Sequence, residues 1–281
     1  MLKWKAYSNY QINHINENNY IKPKTLFYQM SHKTQKKGFS FRALPLYYNN
    51  IRSLSLQTLD YVTGYHWHLY NPFMVFPKHK LAFLAIPRSG TSSIEKALLP
   101  LIGNNLDFEL EQYKHTFRLY MRSCTRREVA SKYNNYFKFT FVRNPWTRLY
   151  SCYLAKVQSY TNRHFRHLNL DKCRNFEEFV LRVYDIPDKQ ADEHFMSQDY
   201  LLTYKGNFLP DQVYRFETYT QDWKILKPRL EQITAVLLSD LPHYYKTKSD
   251  DYRNAYSTKL IDLVGERYQA DCDRFGYTYP D

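Results

Sequence analysis

Two short segments in the middle of the chain carry the hydrophobic pattern of buried β-strands. Residues 81–86 read LAFLAI, an unbroken apolar run of the length expected for a strand that is covered on both faces. Residues 137–142 read FKFTFV, in which three phenylalanines alternate on one face among strand-forming residues. The pattern predicts a third, shorter strand at residues 213–216 (VYRF).

The segment after each of the first two strands has helical spacing. The polar loop 87–93 (PRSGTSS) leads into a helix in which Ser92 and Glu95 predict a capping box, and Pro100 should end or kink it. After the second strand, Asn144 suits an N-cap and Pro145 the first helical position. Further helices are predicted after the cap Asn175, within 222–239 with a break near Pro228, and from Ser257 to about Arg274 with a stop at Gly276.

Strands that alternate with helices indicate an α/β fold with a mostly parallel sheet covered by helices on both faces. We predict one such P-loop-like domain over residues 76–281. Residues 1–75 are rich in Tyr, Asn, Lys and His without sustained periodicity, and we interpret them as an irregular N-terminal extension that packs on or near this domain.

The charge balance narrows the range of partners. The 281 residues include 40 Lys and Arg against 27 Asp and Glu, a net charge of +13 that favours nucleic acid, anionic lipid, phosphate-bearing cofactors or acidic polysaccharide. Four separated cysteines without a CxxC pattern exclude a disulfide-dense scaffold and disfavour a cysteine zinc site, so no metal is expected. Without a long apolar run or a signal peptide, we expect a cytoplasmic protein with no integral membrane segment.

The loop between the first strand and its helix has the composition of a phosphate site. Gly90 permits a close approach of the backbone, Arg88 supplies a permanent charge, and three hydroxyls follow at the helix start, where backbone amides point outward. An ordinary polar turn with a helix cap explains the same residues. The loop is not the GxxxxGK[ST] motif, because it has one glycine and no Lys before the hydroxyls.

The second strand–helix unit offers a second anion site. Arg143 ends the strand, and Ser151 lies about two turns into the following helix. Together they could hold a second phosphate from the side, although an ion-paired arginine and a solvent-facing serine would give the same pattern.

The sequence strings around these residues indicate a protein family more specifically than the single residues do. IPRSGTSS and FKFTFVRNPWTRLYSCY resemble the two cofactor-binding signatures of PAPS-dependent sulfotransferases, in particular the carbohydrate O-sulfotransferase branch, which runs roughly PKxGxTS and FVRxPxxRxxSxY. HFMSQ (194–198), VYRFE (213–217), LPH (241–243) and DCDRFGY (271–277) also resemble that family in the same order. The resemblance covers residues 80–278.

The resemblance implies the cofactor 3′-phosphoadenosine-5′-phosphosulfate (PAPS), with the product PAP, and a sulfotransferase-type sheet. Arg143 and Ser151 would hold its 3′-phosphate. Arg88 stands where the family usually has Lys, and it would stabilise the leaving group as a fixed charge, because a guanidinium does not readily release a proton. The 5′-phosphosulfate would lie on Arg88, Ser89, Gly90, Thr91, Ser92 and Ser93.

Transfer to a hydroxyl acceptor, expected to be a carbohydrate, needs a base of near-neutral pKa, which favours histidine. His115 has roughly the place of a catalytic histidine in related enzymes, His194 matches a family histidine near the acceptor site, and Glu95 is a third candidate. Arg215 and Glu217, two residues apart in the string RFE, point the same way, and we interpret them as structural.

Relatives of this type are often anchored in the Golgi, so a Golgi lumen is the second expected location.

Two other functions fit parts of the sequence. A P-loop-type small-molecule kinase could use loop 87–93, but the Lys-Ser/Thr pair and a clear magnesium-binding acid are missing. A nucleic-acid-binding protein would explain the charge and the interleaved Lys and Tyr of residues 1–50, but no binding motif supports it, so no nucleic-acid partner is expected.

Overall fold

The computed structural model describes residues 73–102, 122–158, 165, 168–242 and 249–279. The first 72 residues of the predicted N-terminal extension lie outside these ranges. The first described strand, Phe73–Phe76, crosses the boundary predicted between residues 75 and 76, and the two-part division of the chain stays a prediction.

The described strands form one five-stranded sheet and one small hairpin. β2 pairs with β4, and β4 with β7, in parallel, whereas β1 runs antiparallel to both β2 and β3. Four strands of the larger sheet therefore share one direction, which confirms the predicted mostly parallel sheet. The order is β3-β1-β2-β4-β7, and β5 pairs with β6. The bounds are β1 Phe73–Phe76, β2 Leu81–Phe83, β3 Arg122–Cys124, β4 Phe137–Val142, β5 Thr203–Tyr204, β6 Asn207–Phe208 and β7 Gln212–Arg215.

Helices cover both faces of this sheet. The α-helices are α1 Thr91–Ala97, α2 Arg126–Ser131, α3 Pro145–Lys156, α4 Phe176–Tyr184, α5 Gln198–Leu202, α6 Tyr219–Thr234, α7 Thr258–Arg267 and α8 Gln269–Phe275. Short 3-10 helices occupy Pro77–His79, Leu99–Leu101, Leu170–Lys172, Asp188–Gln190 and Ser249–Ala255. None of the helices within the described ranges is both long and apolar enough to cross a bilayer.

Alternate residues of each strand contribute to two separate cores. Phe73 and Val75 of β1 join the core that packs against α3, α4 and α7, while Met74 and Phe76 join the core under α1 and α6. Because successive strand residues point to opposite faces, a sheet covered on both sides needs apolar residues at every position. This arrangement explains the unbroken apolar run at residues 81–86.

Most local predictions are confirmed. β4 has the predicted bounds, and the side chains of Asn144, Asn175 and Ser257 cap α3, α4 and α7. The predicted break near Pro228 is wrong, since α6 continues through it. Trp223, Leu226 and Leu230 anchor α6 in the core, so tertiary packing outweighs the backbone bond that a proline loses.

The last predicted helix is two helices. Tyr268 separates α7 from α8, and α8 ends at Gly276 in the left-handed conformation, where the sequence predicted the stop. The Tyr268 side chain is buried, and its hydroxyl donates to the Phe195 carbonyl at 2.5 Å. This contact with a distant segment lies at the junction between the two helices.

Candidate functional site

The first corner of the site joins β2 to α1. Beyond β2 the chain stays extended, and the Leu84 amide donates to the Phe139 carbonyl at 2.8 Å. The loop then turns through Arg88 and Gly90, both with positive φ, of 72° and 78°. Gly90 is the N-cap of α1, so the predicted capping box of Ser92 and Glu95 is wrong. The left-handed glycine starts the helix before Ser92, and the Ser93 amide donates to the Gly90 carbonyl at 3.0 Å.

Aromatic side chains press against Gly90. The Tyr219 hydroxyl donates to the Gly90 carbonyl at 3.1 Å. A Cβ atom at position 90 would lie 2.8 Å from the Tyr219 ring and 3.1 Å from the Phe216 ring. The first of these distances is shorter than the contacts that Cβ atoms make in proteins. Both the conformation and the space at this position therefore require glycine.

The hydroxyls of the loop have different surroundings. Thr91 Oγ1 donates to the Ile86 carbonyl at 2.8 Å, which closes the loop from inside. Ser89 and Ser93 are buried, and Ser92 is partly exposed at the start of α1. The hydroxyl of Thr91, which the sequence predicted as a ligand donor, thus has a partner within the protein.

The second corner joins β4 to α3 and adjoins the first. Arg143 lies between the strand and the N-cap Asn144, whose side chain accepts from the amides of Trp146 and Thr147. The Arg143 guanidinium donates to the Arg88 carbonyl at 3.0 Å and to Thr147 Oγ1 at 3.0 Å, and its Cζ lies 4.4 Å from the centre of the Phe216 ring. The two strand ends therefore meet.

Ser151 contacts the first corner directly. Its hydroxyl accepts from Arg88 Nε at 3.1 Å and from Arg88 Nη2 at 2.6 Å. The sequence predicts that Ser151 and Arg143 together hold a phosphate, and the structure adds that the Ser151 hydroxyl orients Arg88. A serine on α3 thus fixes the side chain of the first corner.

Arg148 is a site residue to which the sequence analysis assigned no role. It is only 2% exposed, and it donates to the carbonyls of Pro87 at 3.0 Å, Met196 at 2.7 Å and Glu193 at 2.8 Å. It therefore fixes the base of the first corner to the segment that carries His194. The second arginine of the string RNPWTR was the signal that could have identified it.

The site has an excess of buried positive charge. Burial, together with the neighbouring charges of Arg88 and Arg148, lowers the pKa of Arg143 to about 10, and the charges of Glu217 and Tyr277 act in the opposite direction. The pKa of Arg88 is also lowered, chiefly by burial, with a contribution from Arg148. A bound anion would relieve this unfavourable environment.

Glu217 also supports the second corner. One of its oxygens accepts from the Asn144 amide at 2.7 Å, and the other accepts from the Tyr277 hydroxyl at 3.0 Å. Nearby, Arg215 donates to the Phe275 carbonyl and lies over the Tyr277 ring. Arg215 and Glu217 thus both bond to the C-terminal segment, which is the kind of structural role that the sequence predicted for them.

His194 forms a hydrogen-bonded pair with Asp192. Its Nδ1 lies 2.6 Å from Asp192 Oδ1, and its backbone amide donates to the same oxygen at 2.9 Å. Burial lowers the pKa of His194, Asp192 raises it, and the charges of Lys156 and Arg88 lower it. An imidazole with a lowered pKa is neutral at pH 7, so its other nitrogen is able to accept a proton.

The remaining predicted bases are less informative. His115 lies outside the described residues, so its predicted role stays a prediction. Glu95 is partly buried on α1. Two further residues that the sequence analysis missed, Gln198 and Asp271, belong to the strings HFMSQ and DCDRFGY, which were noted there without a role.

Comparison with known proteins assigns the chain to a family. Residues 71–278 match the model of the sulfotransferase family. The chain is 25% identical over 271 residues to carbohydrate sulfotransferase 10 of Gallus gallus, covering 85% of this chain and 75% of that protein. It is 25% identical over 244 residues to carbohydrate sulfotransferase 10 of Danio rerio, a match that covers 73% of this chain and 66% of that protein. It is 21% identical over 229 residues to carbohydrate sulfotransferase 14 of Danio rerio, a match that covers 74% of this chain and 62% of that protein. No solved structure matches at a significant level.

Proposed function

The chain belongs to the sulfotransferase family, and we propose that it transfers a sulfuryl group from PAPS to a hydroxyl group of a carbohydrate. The names of its relatives, carbohydrate sulfotransferases 10 and 14, support a carbohydrate acceptor. Since the matches to the Gallus gallus protein and the two Danio rerio proteins span between 62% and 75% of their lengths, the acceptor is part of the proposal.

The observation that carries the proposal is the contact between Arg88 and Arg143. These two arginines come from different strand–helix corners, and the Arg143 guanidinium donates to the Arg88 backbone at 3.0 Å. Both have pKa values lowered by burial, which fits a site for a ligand with two anionic groups. In this proposal, residues 88–93 hold the 5′-phosphosulfate, and Arg143 with Ser151 holds the 3′-phosphate.

When bound, PAPS supplies the sulfuryl group, and PAP is the product. Arg88 neutralises the charge that develops at the leaving phosphate, and Ser151 keeps its guanidinium in place through two hydrogen bonds. Arg148 holds the loop by its bond to the Pro87 carbonyl. As in phosphoryl transfer, positioning and charge stabilisation are the main contributions of the protein.

The base in this proposal is a histidine. His194 has the features of one, because Asp192 orients its Nδ1 and its lowered pKa keeps the imidazole in the neutral form that can take the proton of the acceptor hydroxyl. His115 stays the second candidate from the sequence.

Nucleotide selectivity tests the proposal. We expect the melting temperature of the chain to rise with PAP, and to change little with ATP-magnesium or with a single-stranded oligonucleotide. Incubation with radiolabelled PAPS and a panel of neutral and acidic oligosaccharides should label at least one acceptor. Stabilisation by ATP-magnesium alone would favour a kinase, and stabilisation by the oligonucleotide alone would favour a nucleic-acid-binding protein.

Three histidine variants separate the base from the binding site. His194→Ala should lower turnover by about 100-fold to 10,000-fold, the range for loss of a general base, with PAP affinity unchanged. His115→Ala tests the other candidate. His79→Ala is the control, because His79 bonds the Leu101 carbonyl in a different part of the fold. If His194→Ala keeps normal turnover while His115→Ala loses it, the base is His115.

A further inference from the structure

The backbone of Arg143 is held by one side chain. The pairing of β4 with β7 ends at Val142 and Arg215, and the next bond runs from the Phe216 amide to the Val142 carbonyl at 2.8 Å. At Arg143, the amide donates to Gln198 Oε1 at 2.8 Å, and Gln198 Nε2 donates to the carbonyl at 2.7 Å. The carboxamide thus pairs with both backbone groups, as a neighbouring strand would.

A buried carboxylate holds Gln198 in turn. Gln198 is the first residue of α5, and both its backbone amide and its Nε2 donate to Asp271 Oδ2, at 3.0 and 3.2 Å. The other oxygen of Asp271 accepts from the Asp199 amide at 2.7 Å. Gln198 and Asp271 are both 0% exposed. The side chain of Gln198 therefore has fixed partners at both ends and little freedom to rotate.

Gln198 also lies beside the first corner, since Ser89 Oγ is 3.5 Å from its Oε1. We propose that Gln198 is a positioning residue for Arg143. By holding the Arg143 backbone at a fixed distance from the Arg88 loop, it places the Arg143 guanidinium where it meets the 3′-phosphate of the nucleotide. This inference rests on the proposed function. It predicts that Gln198, without touching the ligand, makes the site selective for nucleotides that carry a 3′-phosphate.

The consequence of removing the carboxamide follows from burial. Gln198→Met keeps the length of the side chain but leaves the amide and carbonyl of Arg143 without their partner, so the backbone there must move to find others. A shift of about 1 Å at a binding group is enough to weaken its contact strongly. The Arg88 loop loses only the long 3.5 Å contact of Ser89 with Gln198 and keeps its bonds to Ser151 and Arg148, so the 5′ end of the nucleotide should be held nearly as before.

Calorimetric titration with two nucleotides tests this proposal. For Gln198→Met we expect the Kd of PAP to rise about 10-fold, the effect of losing a supporting contact, and the Kd of 5′-AMP to change less than about 2-fold. In the Arg143→Ala background, adding Gln198→Met should not raise the Kd of PAP further, because the effect acts through Arg143. Asn175→Ala is the control for general destabilisation, since Asn175 caps α4 outside the site.

Each outcome decides a different question. Suppose that wild type binds PAP. The positioning role is wrong, and the proposed function stands, if Gln198→Met leaves the Kd of PAP unchanged, raises the Kd of PAP and of 5′-AMP by the same factor, or raises the Kd of PAP further in the Arg143→Ala background. If wild type does not bind PAP, the proposed function fails and the inference fails with it. Should Gln198→Met not fold, Gln198→Asn keeps the donor and the acceptor of the carboxamide on a side chain one methylene shorter, and the same two titrations apply.

Discussion

The two strand–helix corners of the site differ in how the start of the helix is capped and held. At the β4–α3 corner, Asn144 caps the helix with its own side chain, and Gln198 and Glu217 bond the adjoining backbone. At the β2–α1 corner, Gly90 is the N-cap and has no side chain to offer. Its neighbour Arg88 has a positive φ, and Tyr219 holds the turn from a distant helix.

The difference concerns how each helix start satisfies its first backbone amides. A helix start closed by its own cap has fewer free amides, whereas a start capped by glycine leaves the first amides to be satisfied by another group. In the proposed function, the first corner takes the phosphosulfate on its backbone, and the second contributes a side chain, Arg143, from a rigid base. Four substitutions test this contrast, in decreasing order of expected effect.

Gly90→Ala should have the largest effect, because the first corner depends on backbone freedom. The new Cβ would meet the Tyr219 ring at 2.8 Å in a left-handed conformation, so we expect a loss of about 2–4 kcal/mol in the free energy of unfolding and no measurable PAP binding. Gly206→Ala is a matched control, with a φ of 81° and no atom within 4 Å of the methyl group that the substitution adds. It should cost about 1 kcal/mol, by urea denaturation, and leave PAP binding intact.

Arg143→Ala tests the side-chain contribution of the second corner. We expect the Kd of PAP to rise about 10-fold to 100-fold, the effect of losing charged hydrogen bonds, while the Kd of 5′-AMP stays nearly constant. Arg229→Ala serves as the control, because Arg229 lies over the Phe137 ring at the opposite end of β4. Equal weakening of both nucleotides would contradict a role confined to the 3′-phosphate.

Asn144→Ala removes the cap that distinguishes the second corner from the first. It should lower the free energy of unfolding by about 1–2 kcal/mol, through loss of the bonds to the Trp146 and Thr147 amides. Asn175→Ala removes a comparable cap from α4 and should cost about 1 kcal/mol. Only Asn144→Ala should also weaken PAP binding, and identical binding by the two variants would show that the cap does not support the site.

The pH dependence of stability tests the support behind the second corner and should be the smallest effect. Burial raises the pKa of Asp271 to about 6, although the amides of Asp199 and Gln198 and the charge of Arg148 oppose this shift. Because the pKa is higher in the folded chain than the unfolded value near 3.9, the stabilisation is complete below about pH 4 and is lost as pH rises through 6.

We therefore expect the stability of wild type relative to Asp271→Asn to fall by about 1 kcal/mol between pH 5 and pH 7, by urea denaturation at each pH. The comparison with the variant cancels the titration of the other groups. A difference that is constant over this range would mean that Asp271 ionises with an ordinary pKa.

Much of the fold could be predicted because its signals are local. The bounds of β4, the caps Asn144 and Asn175 and the stop at Gly276 each follow from the residue type and its immediate neighbours. The cap of α1 and the continuity of α6 could not, because Tyr219 and the buried face of α6 act on them through contacts distant in sequence. Local propensity is a weak preference that such packing overrides.

For the site, the chain itself determined which residues carry the charge and the hydroxyls, namely Arg88, Arg143 and Ser151, because they stand in the strand–helix units that the hydrophobic pattern locates. Only the tertiary structure decided how they are paired, that Ser151 orients Arg88 and that Gln198 with Asp271 holds Arg143. The reason is physical: buried polar groups need partners, and a folded chain supplies them from whichever segment packs nearby, however far away it lies in sequence.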